Sequence, residues 1–327
     1  MPNESNTFKN SSLPLVIVNP KSAGGATSEH WAQTASTLRA HFGAFQVAFT
    51  KKQGDGIRLA KSGADAGRKF IIACGGDGTI NEVANGILAS GKAAELGVLP
   101  SGTGGDFRRT IGMPTDAREA ASQLRDGATK TIDAGKVTFY NHDGKQVSRY
   151  FLNVSSFGLS ASIIGRVKTD ASLDWLPLDA FRGRASFAIS TVQKVLDLGY
   201  TTVRVKLDDR PEKLLNTINF CVANSRYFGG GMKIAPDALI NDGFLDVVNI
   251  GDIKTAKIIL NAYKLYTGAH LDLSEVKHRL ARRIEVAPAN ENQTIFIETD
   301  GELPGRLPAI YEILPDALRI RVPKQNF

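Results

Sequence analysis

The sequence predicts an α/β domain with a doubly wound parallel sheet, followed by a second domain built as an antiparallel β-sandwich. In the first third of the 327 residues, short apolar runs alternate with Gly-rich turns and helical patterns, as in βαβ units. After about residue 131 the apolar runs follow one another with only turn residues between them, which is typical of antiparallel sheets. We place the first domain at residues 12–135 and the second at 136–307.

The first domain contains four predicted buried strands, at residues 13–19, 45–50, 69–74 and 95–100. Helical patterns cover about 28–41 and 80–88. The strands are continuous apolar runs, which is typical of a parallel sheet with helices on both faces.

The second domain contains six predicted strands, and they lie at residues 201–207, 216–223, 244–250, 282–288, 293–299 and 317–323. Two helices are predicted among them, at about 185–198 and 253–267. The second helix has an apolar stripe at helical spacing, which is more often core than a cofactor site.

Composition indicates an ordinary globular protein, with 42% hydrophobic and 22% charged residues. The polar first dozen residues argue against a secretory signal, and no apolar run of about 18 residues predicts a transmembrane segment. Cys74 and Cys221 lie in apolar strand-like runs, so we expect buried free thiols in a reducing compartment. The expected location is the cytoplasm.

The net charge of +7, from 40 basic and 33 acidic residues, favours anionic partners such as nucleotides or acidic membrane surfaces. A simple solvated basic surface is the plain alternative. Zinc-finger spacing, aromatic RNA-binding signatures and basic helices with heptads are missing from the sequence, so nucleic acid is not the expected partner.

The most informative motif follows the third predicted strand and precedes a helix, and it consists of Gly75, Gly76, Asp77, Gly78 and Thr79. Glycines let a ligand approach the backbone closely, and the first turn of a helix offers N–H donors to phosphate. A carboxylate beside phosphate calls for a divalent cation between them, so Asp77 is interpreted as a Mg²⁺ contact. A plain strand-to-helix turn is the structural alternative.

Two more loops of this kind follow strands, at residues 19–25 and 100–106. Carboxyl ends of parallel strands meet at one edge of a sheet, where such sheets bind ligands. Together the three loops predict a nucleotide site. The Walker pattern G-x-x-x-x-G-K-[ST] and the dinucleotide fingerprint G-x-G-x-x-G after the first strand are both missing.

The runs VNPKSAGG, GGDGTINEVANGI and LGVLPSGTGGDFRR closely resemble the catalytic region of bacterial diacylglycerol kinase-like lipid kinases, a region shared with sphingosine and ceramide kinases. The resemblance continues through IDAGKV, FLNVSSFGLSA, GGGMKIAPDALINDGFLDVV and ETDGE. GGDGT is also shared with NAD kinases and, more loosely, with phosphofructokinases. The family implies a last segment, at about 308–327, that returns to the first domain, and an active site in the cleft between domains.

The resemblance implies an ATP site and a catalytic group of carboxylates. The implied ATP-binding residues are Asn19, Thr50, Gly75, Gly76, Asp77, Gly78, Thr79, Asn81 and Thr103. The general base would lie in the motif of Asp300, Gly301 and Glu302. Asp77 and Asp133 resemble the pair that holds catalytic Mg²⁺ through water.

A separate structural metal is implied on the loop that contains Asp242, with the backbone carbonyls of Leu239 and Phe244 as further ligands. Turn residues cluster in any surface loop, so an ordinary turn is the alternative there. Likewise, Asp300-Gly301 is by itself a hairpin signal. One departure from the family is Gly105, where relatives usually have Asn.

The function expected from these motifs is ATP-dependent phosphorylation of a lipid hydroxyl, as in diacylglycerol or a related lipid alcohol. An NAD kinase-like enzyme and a non-catalytic nucleotide or lipid binder are the alternatives. A lipid substrate implies transient contact with a membrane surface, for which residues 175–178 (Trp-Leu-Pro-Leu) are a candidate. Homodimer formation is left open.

Overall fold

The computed structural model describes residues 12–101, 105–169 and 199–324. Two compact units divide the chain: the first comprises residues up to Ile132 together with Asp316–Phe327, and the second is Asp133–Pro315. The predicted helix at 185–198, the tetrapeptide at 175–178 and Thr103 lie outside the described residues.

The first unit is a parallel sheet covered by helices. Its strands are β1 (Leu15–Val18), β2 (Gln46–Phe49), β3 (Phe70–Gly75) and β4 (Glu95–Pro100). Its helices are α1 (Ala26–Phe42), α2 (Asp55–Asp65), α3 (Asp77–Ser90), α4 (Asp106–Thr110) and α5 (Ala117–Asp126). All side chains of β1 and β4 are buried, as expected for strands covered on both faces.

The strand order in the first unit is β2-β1-β3-β4, with the end of the last strand of the chain pairing in parallel beside β4. From β1, the chain therefore adds β2 on one side of the sheet, and then β3 and β4 on the other side. This creates a switch point between β1 and β3, and open α/β sheets bind ligands beyond the carboxyl ends of such strands. The predicted parallel fold is confirmed.

Helix α2 was missed by the sequence prediction. It contains Gly56 and Gly63, residues with poor helix propensity, and its sequence is largely polar. The small residues serve packing instead, because a Cβ on Gly63 would come within 2.6 Å of the fully buried Leu15 side chain.

The second unit is antiparallel. Its strands are β5 (Ala128–Asn141, which begins in the first unit), β6 (Gln146–Phe151), β7 (Val154–Gly158), β8 (Thr201–Leu207), β9 (Lys213–Thr217), β10 (Asn219–Ala223), β11 (Tyr227–Phe228), β12 (Met232–Lys233), β13 (Leu245–Ile250), β14 (Val276–Ala281), β15 (Arg283–Pro288), β16 (Phe296–Thr299) and β17 (Glu302–Val322). Its helices are α6 (Leu159–Thr169), α7 (Thr255–Asn261) and α8 (Lys264–Thr267).

Strands β14, β13, β10, β7 and β16 form one antiparallel series, which continues into β17. Strand β17 also pairs with β15, which is followed by β8 and β9. Inward side chains from both series share one core, which includes the stacked rings of Phe157 and Phe220. A second, smaller core lies on β10 and β13 and is covered in part by Leu265 of α8.

The predicted helix at 253–267 is divided into α7 and α8. Ala262 and Tyr263, which separate them, keep right-handed helical backbone angles, so the direction of the segment changes little. In the described part of the chain, no helix is both long enough and apolar enough to cross a membrane. Both cysteines are buried free thiols, as predicted.

Candidate nucleotide loops and candidate catalytic turn

The three predicted loops of the first unit meet at one edge of its sheet. The backbone N–H of Asn19, after β1, donates to the Cys74 carbonyl at the end of β3 (3.0 Å). The N–H of Ser101, after β4, donates to the Gly75 carbonyl (3.3 Å), and Thr50 after β2 donates to Val18 (2.9 Å). These bonds extend the ladder beyond the strands and bring the loops to the switch point.

Side chains also connect the loops. The amide of Asn19 donates to the hydroxyl of Thr79, on the first turn of α3, at 3.2 Å. The hydroxyl of Thr27 lies 2.6 Å from that of Ser22 and also contacts the hydroxyl of Ser101. Thr79 belongs to the predicted motif and Asn19 was implied by the family resemblance. Ser22 and Ser101 were predicted only as members of their loops, and Thr27 was missed because an isolated hydroxyl carries no pattern.

The turn before α3 leaves open space beside its backbone. Among the described residues, a Cβ placed on Gly76 or on Gly78 would meet no atom within 4 Å, and neither glycine has a left-handed backbone. Steric packing against the described part of the protein therefore does not require glycine at these two positions. The first N–H groups of a helix have no intrahelical partner, so this space lies where an anion would bind. By contrast, a Cβ on Gly75 would meet Thr79 Oγ1 at 2.4 Å.

Asp77 points toward the start of α4. Its Oδ2 accepts the N–H of Asp106 (2.8 Å) and its Oδ1 that of Phe107 (3.1 Å), so the carboxylate caps a helix thirty residues away. Burial raises the pKa of Asp77, while these two bonds and the nearby Arg109 and Arg108 oppose that rise. The sequence did not predict this structural contact.

A divalent cation near Asp77 fits this environment. Each carboxylate oxygen accepts one backbone N–H and has capacity for a second contact, as a water-mediated cation requires. Because desolvation disfavours the ionised carboxylate, a nearby positive charge would offset that cost.

Two acidic residues that the sequence did not single out hold the segment between β2 and α2. Glu82 of α3 accepts the N–H groups of Gly54 (2.7 Å) and Gly56 (2.8 Å) through separate oxygens. Asp55 accepts those of Lys51 and Lys52. These bonds fix the loop that contains Thr50, which is buried. The bonds to Glu82 span 26 and 28 residues, and contacts of that range leave no local sequence signal.

Asn81, another predicted nucleotide contact, lies on the second turn of α3. Its side-chain oxygen accepts the amide of Asn85 at 3.1 Å. Gly105 has φ of 105°, a conformation that L side chains rarely adopt. The departure from the family's Asn therefore involves the backbone as well as the lost amide.

The Asp300-Gly301 hairpin turn of the second unit is confirmed. It joins β16 to β17 with Thr299 opposite Glu302, and both turn residues have positive φ (46° and 87°), as in a type I′ turn. Asp300 Oδ2 accepts the N–H of Leu152 (2.9 Å), and Oδ1 accepts those of Asn153 and Val154 (3.0 Å each). Asp300 therefore attaches the turn to the segment before β7.

Glu302 lies next to this turn and is half-buried. Its Oε2 accepts a hydrogen bond from Arg149 Nη1 at 2.7 Å. On the opposite side of the turn, the buried Glu298 accepts the N–H of Gly301 (2.6 Å) and the hydroxyl of Ser156. Arg149 was missed by the sequence analysis because it lies 153 residues before Glu302, and Glu298 was quoted as part of the ETDGE run without a role of its own.

Asp133, assigned from the sequence to the catalytic Mg²⁺, contacts the loop assigned to the structural metal. Its Oδ2 accepts the N–H of Gly243 (2.7 Å), and its own N–H donates to the Ile240 carbonyl (2.7 Å). Asp242 Oδ1 accepts the N–H of Phe244. Burial, and then the charges of nearby Asp246 and Asp133, raise the pKa of Asp242.

Within the described residues, no group of three or more His, Cys, Asp or Glu side chains is arranged to hold a metal. The predicted structural set has one carboxylate, that of Asp242, and the backbone carbonyls of Leu239 and Phe244. Repulsion among the acidic groups around Asp242 is the kind of cost that a bound cation relieves. This set stays a prediction.

Comparison with known proteins agrees with this architecture. A family model described as the diacylglycerol kinase catalytic domain matches residues 14–137. A second, described as the YegS C-terminal NAD kinase beta sandwich-like domain, matches residues 158–322.

Several relatives match over most of their length. The diacylglycerol kinase of Bacillus subtilis is 28% identical over 315 residues, which cover 95% of this chain and 96% of the relative. That of Mycobacterium tuberculosis H37Rv is 27% identical, with 83% and 82% covered. The crystal structure of a candidate diacylglycerol kinase from Bacillus anthracis str. Sterne superposes with a TM-score of 0.74 at 26% identity, covering 97% and 99%. The chain therefore belongs to the diacylglycerol kinase catalytic-domain family.

Proposed function

We propose that this protein is an ATP-dependent lipid kinase that transfers the γ-phosphoryl group of ATP to the hydroxyl of diacylglycerol or a related lipid alcohol. The observation that carries the proposal is the open space over Gly76 and Gly78, at the first turn of α3 and at the switch point of the sheet. In a chain of this family, that is the place where a triphosphate would lie.

The nucleotide is assigned to the first unit. Backbone N–H groups of residues 76–78 would bind phosphate oxygens, and the bond from Asn19 to Thr79 would keep the two loops in register. Thr50, Asn81 and Thr103 remain proposed contacts. Phosphoryl transfer depends chiefly on such positioning and on charge stabilisation.

The acceptor is assigned to the turn at residues 300–302. The Glu302 carboxylate would take the proton of the lipid hydroxyl as that oxygen bonds to the γ-phosphorus and the bond to the ADP oxygen breaks. Arg149 would keep Glu302 oriented, which the 2.7 Å contact supports. The bonds from the Asp300 carboxylate to three backbone N–H groups support a positioning role for this residue.

Bound Mg²⁺ would neutralise phosphate charge during the transfer. Asp77 and Asp133 are the residues proposed to hold it through water, and Asp242 with the carbonyls of Leu239 and Phe244 would hold a structural metal. Since lipids of this class are found in bilayers, we further propose that the protein associates transiently with a membrane surface.

The direct test incubates the protein with Mg²⁺ and γ-labelled ATP, and offers diacylglycerol, ceramide, sphingosine and NAD in separate reactions. Labelled phosphatidic acid, or another lipid phosphomonoester, is the expected product. Label on NAD alone would replace the proposal with NAD kinase activity, and label on none of the four would reject it.

Two variants separate catalysis from folding. Gly78→Ala places a methyl group where it conflicts with no atom of the described residues, so we expect loss of ATP binding with an unchanged melting temperature. Gly63→Ala is the matched control, since its Cβ conflicts with Leu15 and should lower stability instead. Glu302→Gln should bind ATP normally yet phosphorylate no lipid. Full activity of Glu302→Gln would exclude this carboxylate as the base.

A further inference from the structure

Helices α7 and α8 expose an apolar stripe to solvent. Leu260, Tyr263 and Tyr266 have exposed fractions of 74%, 63% and 52%. Ten large hydrophobic side chains are exposed among the described residues, and these three fall within seven consecutive positions. Scattered single exposures are normal, but this concentration on one element indicates a contact surface.

The stripe follows helical geometry. Ala256, Leu260, Tyr263 and Thr267 are all exposed, at spacings of four, three and four residues. The other side of the same segment is held by the protein, because Leu265 packs against the second core. A helix on the surface of a domain normally has polar residues at its outer positions, and here the two central ones are leucine and tyrosine.

The chain segment that carries the stripe is positively charged. Between Asp252 and Asp272 the sequence has three lysines (Lys254, Lys257 and Lys264) and no acidic residue. One of them, Lys257, pairs with Glu275 at 2.6 Å. Lysines beside an apolar stripe with tyrosines form the pattern of a helix that lies in the interface of an anionic membrane.

We propose that the surface formed by Leu260, Tyr263 and Tyr266, which we call the α7–α8 stripe, docks on anionic phospholipid bilayers. Leucine and the tyrosine rings enter the headgroup region while the lysines contact lipid phosphates. A second copy of the chain is a poorer occupant, since a two-fold contact through this surface would bring the same lysines together. The proposal rests on the proposed lipid kinase function and names the surface that reaches the substrate.

The test is sedimentation of the full-length protein with vesicles of phosphatidylcholine mixed with phosphatidylglycerol, and with vesicles of phosphatidylcholine alone. We expect binding to the anionic vesicles, weakened by added salt, and much less binding to the neutral ones. A doubly substituted variant, Leu260→Gln with Tyr263→Gln, should bind at least about tenfold more weakly, given the apolar area removed.

The control variant is Leu214→Gln, on β9, whose side chain is 68% exposed and lies outside the stripe. It should bind vesicles like the wild type. Equal binding by the double variant and the wild type would overturn the proposal. So would a change from dimer to monomer on light scattering with vesicle binding retained, because the stripe would then be a self-association surface.

Failure of this inference is distinguishable from failure of the proposed function. A short-chain diacylglycerol dispersed in solution needs no bilayer, so the double variant should phosphorylate it as fast as the wild type. Loss of that activity in the double variant alone would assign the stripe a role other than docking. If the wild type phosphorylates no lipid in either form, the kinase proposal fails, whatever the vesicles show.

Discussion

Replacement of Asp300 by Asn tests whether this carboxylate holds the turn that contains Glu302. Asparagine tolerates the left-handed backbone of position 300, so the variant keeps the turn conformation. It has one acceptor oxygen where aspartate has two, and both Asp300 oxygens accept backbone N–H groups. In the variant, the side-chain NH₂ takes the place of one of these oxygens and faces a backbone N–H donor. That donor is either Leu152, or Asn153 together with Val154.

The cost can be worked out from these bonds. Losing one charge-assisted hydrogen bond and leaving its donor unsatisfied costs about 3 kcal/mol of folding free energy. For a unit of this size, that lowers the melting temperature by roughly 6–12 °C. Because the turn loosens, kcat for lipid phosphorylation should fall, while KM for ATP, whose site we propose in the loops of the first unit, should stay unchanged.

Asp208 provides a matched control. It too has positive φ (50°), and its carboxylate accepts two backbone N–H groups, those of Arg282 and Arg283. Both bonds reach the same oxygen, so Asp208→Asn keeps both and loses only the charge, at about 1 kcal/mol. Calorimetry and steady-state kinetics compare the two variants. Equal melting temperatures and equal kcat values would refute the assignment of Asp300 as the anchor of the turn.

Three further predictions concern packing and titration. Gly86→Ala should cost about 1–3 kcal/mol in urea unfolding, because its Cβ would lie 2.4 Å from the Ile57 carbonyl oxygen; an unchanged midpoint would contradict the tight α2–α3 contact. Burial raises the pKa of Cys74 to about 12 and raises that of Cys221 as well, so mass spectrometry should find no iodoacetamide adduct at neutral pH until the protein is denatured. Burial lowers the pKa of His270, so the folded state favours the neutral ring. The stability that this contributes is complete above the pKa of the ring in the unfolded chain and is lost as the pH falls below it. Between about pH 7.5 and 5.5, the melting temperature of the wild type should therefore fall by more than that of His270→Asn.

Local patterns sufficed for the strands and loops of the first unit. Buried parallel strands are continuous apolar runs, and the glycines at the end of β3 indicate a turn whose backbone a ligand can approach closely. Both features can be recognised within a few residues of sequence. The same holds for Asp300-Gly301, since a two-residue hairpin has its own turn chemistry.

Contacts between segments that are distant in the chain could not be predicted from local sequence patterns. The bond from Asp133 to Gly243 joins residues 110 positions apart, and Asp77 caps a helix that begins at Asp106. Nothing near either aspartate in the sequence marks its partner. Strand β17 begins at Glu302, but it was predicted only from residue 317. The prediction was too short because Pro304 and Pro308 are not typical of the interior of a strand.

The discontinuity of the first unit has a consequence for synthesis of the chain. Its sheet ends with the segment of β17 at Arg319 and Ile320, which pairs with β4, so strands synthesised first are completed by a segment that is synthesised more than 200 residues later. Until then the edge of β4, whose side chains are all buried in the finished fold, has no neighbour to cover it. Loss of the segment that contains Arg319 and Ile320 would therefore leave an aggregation-prone product, because the edge of β4 would stay uncovered.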